Sequence, residues 1–351
     1  MVTRVRLRRL LSSGCIAGAI AVAHVATAQE AESSHPEFNH FTVLEENDSL
    51  FFNSDKHYTQ GLRLSYAHAA ENDDGSWLQG FANDLATRAF LNDPQGTSEY
   101  AVFFGQSIFT PTDKSSVPPD PHDRAYAGWA YVGFSLLEEK QGTLDNAEID
   151  LGVVGPPALG KQVQNDFHQF IGAPLARGWS SQLQTEPGAM VSYERLWRVP
   201  LTANAETPGA FGIDIVPQVG GTVGNVFTYA ETGALLRIGT GLGADYGPVR
   251  IRPALSGTDY FDPRGLVGIR YYFSAGVQGR VIGHNIFLDG NTDRSSPNVD
   301  KRPLVGDAQG GFTLLWSKHV RTDISVVLRS KEFYGQKGVD DICTAAFHVT
   351  W

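Results

Sequence analysis

The stretch Ile342-Cys343-Thr344-Ala345-Ala346-Phe347-His348-Val349-Thr350-Trp351 repeats at a period of two. Its odd positions carry Cys, Ala, Phe, Val and Trp; the even positions after Ile342 carry Thr, Ala, His and Thr. One apolar and one mostly polar face is the pattern of a strand whose two sides meet different surroundings. A surface strand of a soluble sandwich shows the same alternation, but such a strand seldom stops on an aromatic. A strand that ends on Trp351 resembles the C-terminal signal recognised by the outer-membrane assembly machinery, which makes that machinery an expected partner.

Working outward, Leu62, Leu64 and Tyr66 alternate with Arg63 and Ser65, and Ile324, Val326 and Leu328 alternate with Ser325, Val327 and Arg329. Residues 188–198 repeat the pattern less cleanly. The alternation predicts strands at 38–46, 59–69, 100–109, 127–138, 144–154, 188–198, 210–218, 226–238, 265–280, 305–316, 323–332 and 342–351. Twelve is an even number, as a single-chain bacterial barrel requires, and this gives an all-β fold, a twelve-stranded antiparallel transmembrane β-barrel. With both termini periplasmic, the connections 47–58, 110–126, 155–187 and 281–304 face outward. The connections 70–99 and 239–264 are too long for periplasmic turns, and the pattern does not account for them; Trp77, Leu78, Phe81, Leu85 and Ala89 in the first suggest a short amphipathic helix. Tyr100, Trp129, Tyr131, Tyr193, Trp197, Tyr271, Tyr272 and Trp316 are expected in the interfacial aromatic girdles.

The N-terminus sets the compartment. Arg4, Arg6, Arg8 and Arg9 precede an apolar stretch from Leu10 to Val25, and Ala26-Thr27-Ala28 supplies an A-x-A cleavage site. This is a secretory signal over residues 1–28, leaving 29–351 as one barrel domain. The stretch is shorter than the roughly 20 residues a bilayer helix needs. Loss of those four arginines takes the formal net charge from −10 to −14, a poor match for nucleic acid. Of the two cysteines only Cys343 survives cleavage, so no disulfide forms within the mature chain. The mean hydropathy of −0.19 fits a soluble protein, and equally a barrel in which lipid-facing and lumen residues cancel.

Gly160–Gly172 is the most informative loop segment. At helical spacing Val163, Phe167, Phe170 and Ile171 form an apolar stripe, and Lys161, Gln164, Asn165 and His168 gather on the adjoining polar arc. Gln164 and His168 are one turn apart and can reach one point. A helix lying on the barrel wall is expected to bury the stripe and aim His168 into the gap; a solvated histidine on an ordinary loop helix satisfies the same pattern. Glu46-Asn47-Asp48 ends the first strand and Tyr58-Thr59-Gln60-Gly61 opens the second across a hairpin. Their oxygens suit a hard cation such as Ca²⁺, although Asn and Asp also serve as plain turn residues. Asp289-Gly290-Asn291-Thr292-Asp293 has the flavour of a calcium loop, but Arg294 replaces the required glycine, so an acidic loop is expected. No G-x-S-x-G, Walker loop or H-E-x-x-H is present.

Taken in order, these motifs resemble the outer-membrane lipid A 3′-O-deacylase family over most of the mature chain. Tyr58-Thr59-Gln60-Gly61 is similar to its Y-T-x-G. Gly105-Gln106 with Pro111, Asp123-Arg124-Ala125-Tyr126-Ala127-Gly128, and Leu151–Pro156 leading into Gln162–His168 match later landmarks, as does Asn285–Thr292. The resemblance implies an enzyme of the cell outer membrane acting on lipopolysaccharide in the outer leaflet, by Ca²⁺-dependent ester hydrolysis between the barrel wall and a loop helix. It makes His168 the general base, with Gln164 and Thr59 in support, and assigns Asn47 and Asp48 to the metal site. A substrate-binding lysine is expected in the second outward loop, where Lys114 is the only lysine and stands slightly off position. A catalytically silent pore or structural barrel, or a phospholipase barrel, are the competing readings, since fold does not fix function.

Overall fold

The computed structural model describes residues 39–48, 56–69, 77–89, 91, 96–253 and 258–351; the expected signal 1–28, with Cys15, lies outside them. Twelve long strands run in chain order: β1 His40–Asn47, β2 His57–Ala69, β3 Thr97–Thr110, β4 Ala127–Lys140, β5 Thr143–Val154, β6 Glu186–Trp197, β7 Phe211–Gly224, β8 Phe227–Thr240, β9 Arg270–Asn285, β10 Leu304–Ser317, β11 Val320–Arg329 and β12 Asp340–Thr350. Each pairs antiparallel with its sequence neighbours, and His40 opposite Thr350 closes β1 onto β12. A two-residue strand, Val199–Pro200, adds to β7. Closure leaves no sheet edge unpaired in lipid, which is the condition for strands to span a membrane. The expected strands are all present. The largest changes are 210–218 and 265–280, which run to Gly224 and from Arg270 to Asn285.

Both described chain ends lie at one end of the barrel, where Asn39 and Trp351 exchange backbone hydrogen bonds. The turns 141–142 and 318–319 share this near end. The long connections 111–126, 155–185 and 286–303 stand at the far end. Alternation decides which side each side chain takes. In β12 Ile342, Ala346 and His348 point to the lumen and Phe347, Val349 and Trp351 outward, as the sequence pattern requires. Tyr193, Tyr271 and Trp316 face outward as girdle residues should. Trp129, Tyr131 and Tyr272 do not: they occupy lumen-facing positions and are buried, because an aromatic on the inner parity fills the barrel instead of meeting lipid. Tyr100 faces outward but is covered by a helix.

The connection 241–269 explains its own length by threading the lumen. Near its start Asp245 accepts from Arg237 (2.6 Å) and from the hydroxyl of Tyr272 (2.9 Å), and pairs with Arg321 at 3.1 Å. Further up, Arg250 meets Glu46 at 2.9 Å and Arg252 meets Glu194 at 2.7 Å. On the return, Asp259 accepts from Ser65 (2.7 Å) and lies 3.3 Å from Arg63. These charges are almost wholly buried, so removing one partner of a pair costs on the order of 3–5 kcal/mol. The described part of this segment, the plug, sets these side chains across the lumen. Planar-bilayer recording of the refolded protein should therefore show no ohmic steps. Replacing the segment from Tyr246 to Asp259 by a short Gly-Ser linker should produce them.

Candidate active site

At the far end the outer wall is polar where a membrane barrel is ordinarily apolar. Its lipid-facing parity is marked lower down by Phe104, 43% exposed, and Val132, 60% exposed. On the same parity at the rim stand Asn47, Gln60, Ile108 and Gly128, which pair in turn across β1–β4 and form one cross-strand row. A register shift between Tyr58 and Gln60 turns Thr59 to the outer side as well, where its hydroxyl meets that of Thr110 at 2.7 Å.

A helix covers the β3–β4 end of this row. It runs Gly160–Ile171 (α2; the helix Trp77–Ala89 of the 70–96 connection is α1). Two glycines let it sit flush on the wall. A Cβ on Gly128 would lie 3.0 Å from that of Ala158, and one on Gly160 would lie 2.8 Å from the Trp179 ring. Gln106 donates to the Ala158 carbonyl at 2.6 Å, tying β3 to the segment before the helix. The helix stops at Gly172, whose φ of 70° suits glycine, and the His168 carbonyl accepts from Ala173 at 2.8 Å.

The face that α2 buries corrects the sequence expectation. Gly160, Gln164 and His168 are buried, while Phe170 is 85% and Ile171 53% exposed, and Phe167 joins them. Only Val163 of the apolar stripe packs inward, beside Ile108, Tyr126, Ala176 and Trp179. The period was right and the side was wrong, because the surroundings of a membrane helix reverse the usual rule: its apolar stripe belongs on the outside.

Each buried polar group on α2 is oriented. His168 Nδ1 lies 2.7 Å from the Pro174 carbonyl. A carbonyl only accepts, so Nδ1 carries the proton and Nε2 holds the lone pair of the neutral ring. Trp179 Nε1 donates to Gln164 Oε1 at 2.9 Å, fixing which way the amide faces; its Nε2 has no hydrogen-bond partner among the described residues. Asn165 clamps the returning chain with two bonds to Ala176, 2.9 and 3.2 Å long.

Across the row, Asp48 is buried; its backbone N–H reaches the Thr59 carbonyl at 3.5 Å and its carboxylate accepts from the Lys56 N–H. Glu45 bonds to Gln60 and Asn47. The sequence expectations thus fall into two groups. Asn47, Asp48 and Thr59 adjoin at the β1–β2 tip, and Gln164 with His168 share the buried face of α2. The row through Gln60 and Ile108 links them. Lys114 stands in the second far-end loop, where its carbonyl accepts from Arg177 (2.8 Å) and Tyr126 (3.2 Å), so its backbone braces the loop that carries α2. The roles of Trp179, Thr110 and Pro174 leave no trace in the pattern, because each rests on how the chain folds back on itself: Thr110 onto Thr59, and Pro174 and Trp179 onto α2. Gln106 stood within a family motif without a role attached.

The surrounding rim is braced by charge. His57 Nδ1 lies 2.7 Å from Asp340 and its Nε2 3.4 Å from Asp123. Burial pushes the Asp123 carboxyl up, but His57 and the N–H groups of Thr112 and Arg124 prevail and hold it below the usual carboxylate range. The 289–293 segment ties its loop together and to β6: Asp289 bonds Lys301 at 2.7 Å and Asn291 bonds Glu186 at 3.0 Å. For Asp289 burial acts upward, yet His284, Lys301 and the Asn285 N–H bring it down to about 2. A depressed carboxyl contributes stability above its ordinary pKa and loses it as pH falls through the lowered value. This brace should persist to about pH 3, readable as unchanged protease resistance of the 286–303 loop down to that pH.

The family described as outer membrane protein LpxR matches residues 13–351. The chain belongs to the LpxR family. Among solved structures, LpxR from Salmonella typhimurium matches with a TM-score of 0.65 and 20% identity, covering 88% of this chain and 99% of that one. The β domain of the Bordetella autotransporter BrkA follows at a TM-score of 0.41 and 11% identity, covering 89% and 98%. No curated protein matches. An LpxR-family barrel places the chain in the outer membrane, with its polar row on the lipid-facing wall. If α2 must sit flush on that wall, Gly160→Val should lower activity at least tenfold while the barrel still migrates as a folded, heat-modifiable band. Trp179→Phe, which removes one hydrogen bond worth about 1 kcal/mol, should cost roughly fivefold.

Proposed function

We propose that the protein is a carboxylic ester hydrolase that removes the 3′-acyloxyacyl group of lipid A in the outer leaflet. The observation that carries this reading is α2, a helix lying against β3 and β4 with His168 buried and its Nδ1 held by Pro174, and with Phe167, Phe170 and Ile171 turned outward. An ester bond near a headgroup, with acyl chains alongside, suits a buried imidazole beside exposed apolar side chains. Membership of the LpxR family supports the same reaction.

In the proposed reaction His168 Nε2 takes a proton from water as the water attacks the ester carbonyl, and returns it to the departing alkoxide. The Nδ1–Pro174 bond holds the ring in the required tautomer throughout. Gln164 presents its Nε2 amide to the same space, held by Trp179, and Thr59 presents a hydroxyl held by Thr110. The donors at the β1–β2 tip are all oxygen, which fits a hard cation such as Ca²⁺, held by Asn47 and Asp48. When bound, the ion would supply positive charge to the carbonyl oxygen as it becomes an oxyanion. Lys114 would meet a phosphate or sugar group of lipopolysaccharide at the outer margin.

A pore is the weaker reading because the plug sets charged side chains across the lumen. A phospholipase remains a competing chemistry, separated by offering both lipids to the purified protein. His168→Ala should lower deacylation by about 10²–10⁴-fold, and Asp48→Ala should abolish it, with folded barrel retained. Chelator should silence the wild type and added Ca²⁺ restore it. Lipid A mass spectrometry from a host expressing each form reads all three; full activity of either variant would overturn the assignment.

A further inference from the structure

The helix α1, Trp77–Ala89, lies on the outside of the barrel. Ala82 and Ala86 pack against Tyr100, Phe134 and Leu136, which occupy the lipid-facing parity of β3 and β4. The helix belongs to a near-end connection, the end that carries two-residue turns and both described chain ends. Its outward side is divided along its length. Trp77, 82% exposed, and Phe81, 48% exposed, stand one turn apart; one turn further on each time, Asp84 and Arg88 form an exposed ion pair at 2.8 Å. A Cβ on Gly80, between the two aromatics, would meet nothing within 4 Å, so no described residue lies over the helix at this point.

The aromatic end continues a surface that already faces lipid. The Phe81 ring is 5.3 Å from Phe134, Phe134 pairs with Val102, and Val102 pairs with Tyr66, whose ring lies 6.2 Å from Trp351. Trp351, Tyr66, Phe134 and Phe81 thus form one aromatic band on the outer wall near the chain ends. Tryptophan and tyrosine prefer the level of lipid headgroups, and an amphipathic helix with an aromatic edge lies in that plane.

We propose that α1 is an interfacial anchor that seats Trp77 and Phe81 among the phospholipids of the periplasmic leaflet and leaves the Asp84–Arg88 end in water. The occupant is phospholipid because the edge is continuous with the lipid-facing wall of the same strands. The anchor does not depend on the proposed reaction. It does constrain it, because β3 and β4 carry α1 at one end and α2 at the other, so the depth of one fixes the depth of the other.

The test uses the full mature chain in a Cys343→Ala background, folded into phosphatidylethanolamine–phosphatidylglycerol vesicles. An environment-sensitive NBD label is attached at Phe81→Cys or, separately, at Arg88→Cys. The label at 81 should emit to the blue and be quenched several-fold more by phospholipid bearing a nitroxide near the glycerol end of its acyl chain than by aqueous iodide. The label at 88 should show the reverse. Equal iodide quenching at the two positions would overturn the anchor. So would protection of position 81 that requires added soluble periplasmic extract, since the edge would then belong to a protein partner. Should Phe81→Cys fail to give a heat-modifiable barrel, Trp77→Cys carries the same label and the same expectations.

Discussion

Everything in this molecule depends on the two-residue period of an extended chain. A strand in a closed barrel sends one side chain to lipid and the next to the lumen, except where a bulge shifts the register. Glu46 therefore points inward to Arg250 while Asn47, its neighbour, points outward to the row beneath α2. Tyr58 and Phe109 fill the inside while Thr59 and Thr110, offset by the bulge, meet outside. The wall has two chemistries back to back. A polar group on the outer parity is costly in hydrocarbon unless it finds a partner, and here Thr59 meets Thr110 and Gln60 meets Glu45.

The inner chemistry is ionic. The lumen holds Arg237 with Asp214 and Asp245, Arg280 and Arg329 with Asp307, and Arg321 with Asp323, all buried. Desolvating so many charges is affordable only if each finds a partner with good geometry. The plug supplies Asp245, Arg250, Arg252 and Asp259 to that network, and packs Tyr246, Val249, Ile251, Tyr260 and Phe261 against apolar lumen side chains beside them. Arg250 meets Glu46 on the inner side of β1, the strand whose outer side carries Asn47.

Much of this was legible before any coordinates. The alternation in Ile342–Trp351 and its recurrences gave the strand number and closure, because period two is local and leaves a direct trace. The motifs that hold Asn47, Thr59 and His168 fall on the β1–β2 tip and on α2. What escaped was everything decided by context. The apolar stripe of α2 was visible, but the solvent it would meet was not, so its burial was inverted. Trp129 and Tyr131 look like girdle aromatics until their parity is known. The plug reads as an overlong turn, since Arg250 and Arg252 have partners some two hundred and some fifty residues away. Trp179 gains its role only by meeting Gln164.

The candidate site lies on the outer wall and not along the barrel axis. A molecule that reaches it from the bilayer searches a plane rather than a volume. Its occupancy then follows the mole fraction of that molecule among its neighbours, and aqueous concentration drops out. Mixed micelles would consequently show surface dilution: adding inert detergent at constant total substrate slows encounter, as though the substrate itself had been withdrawn.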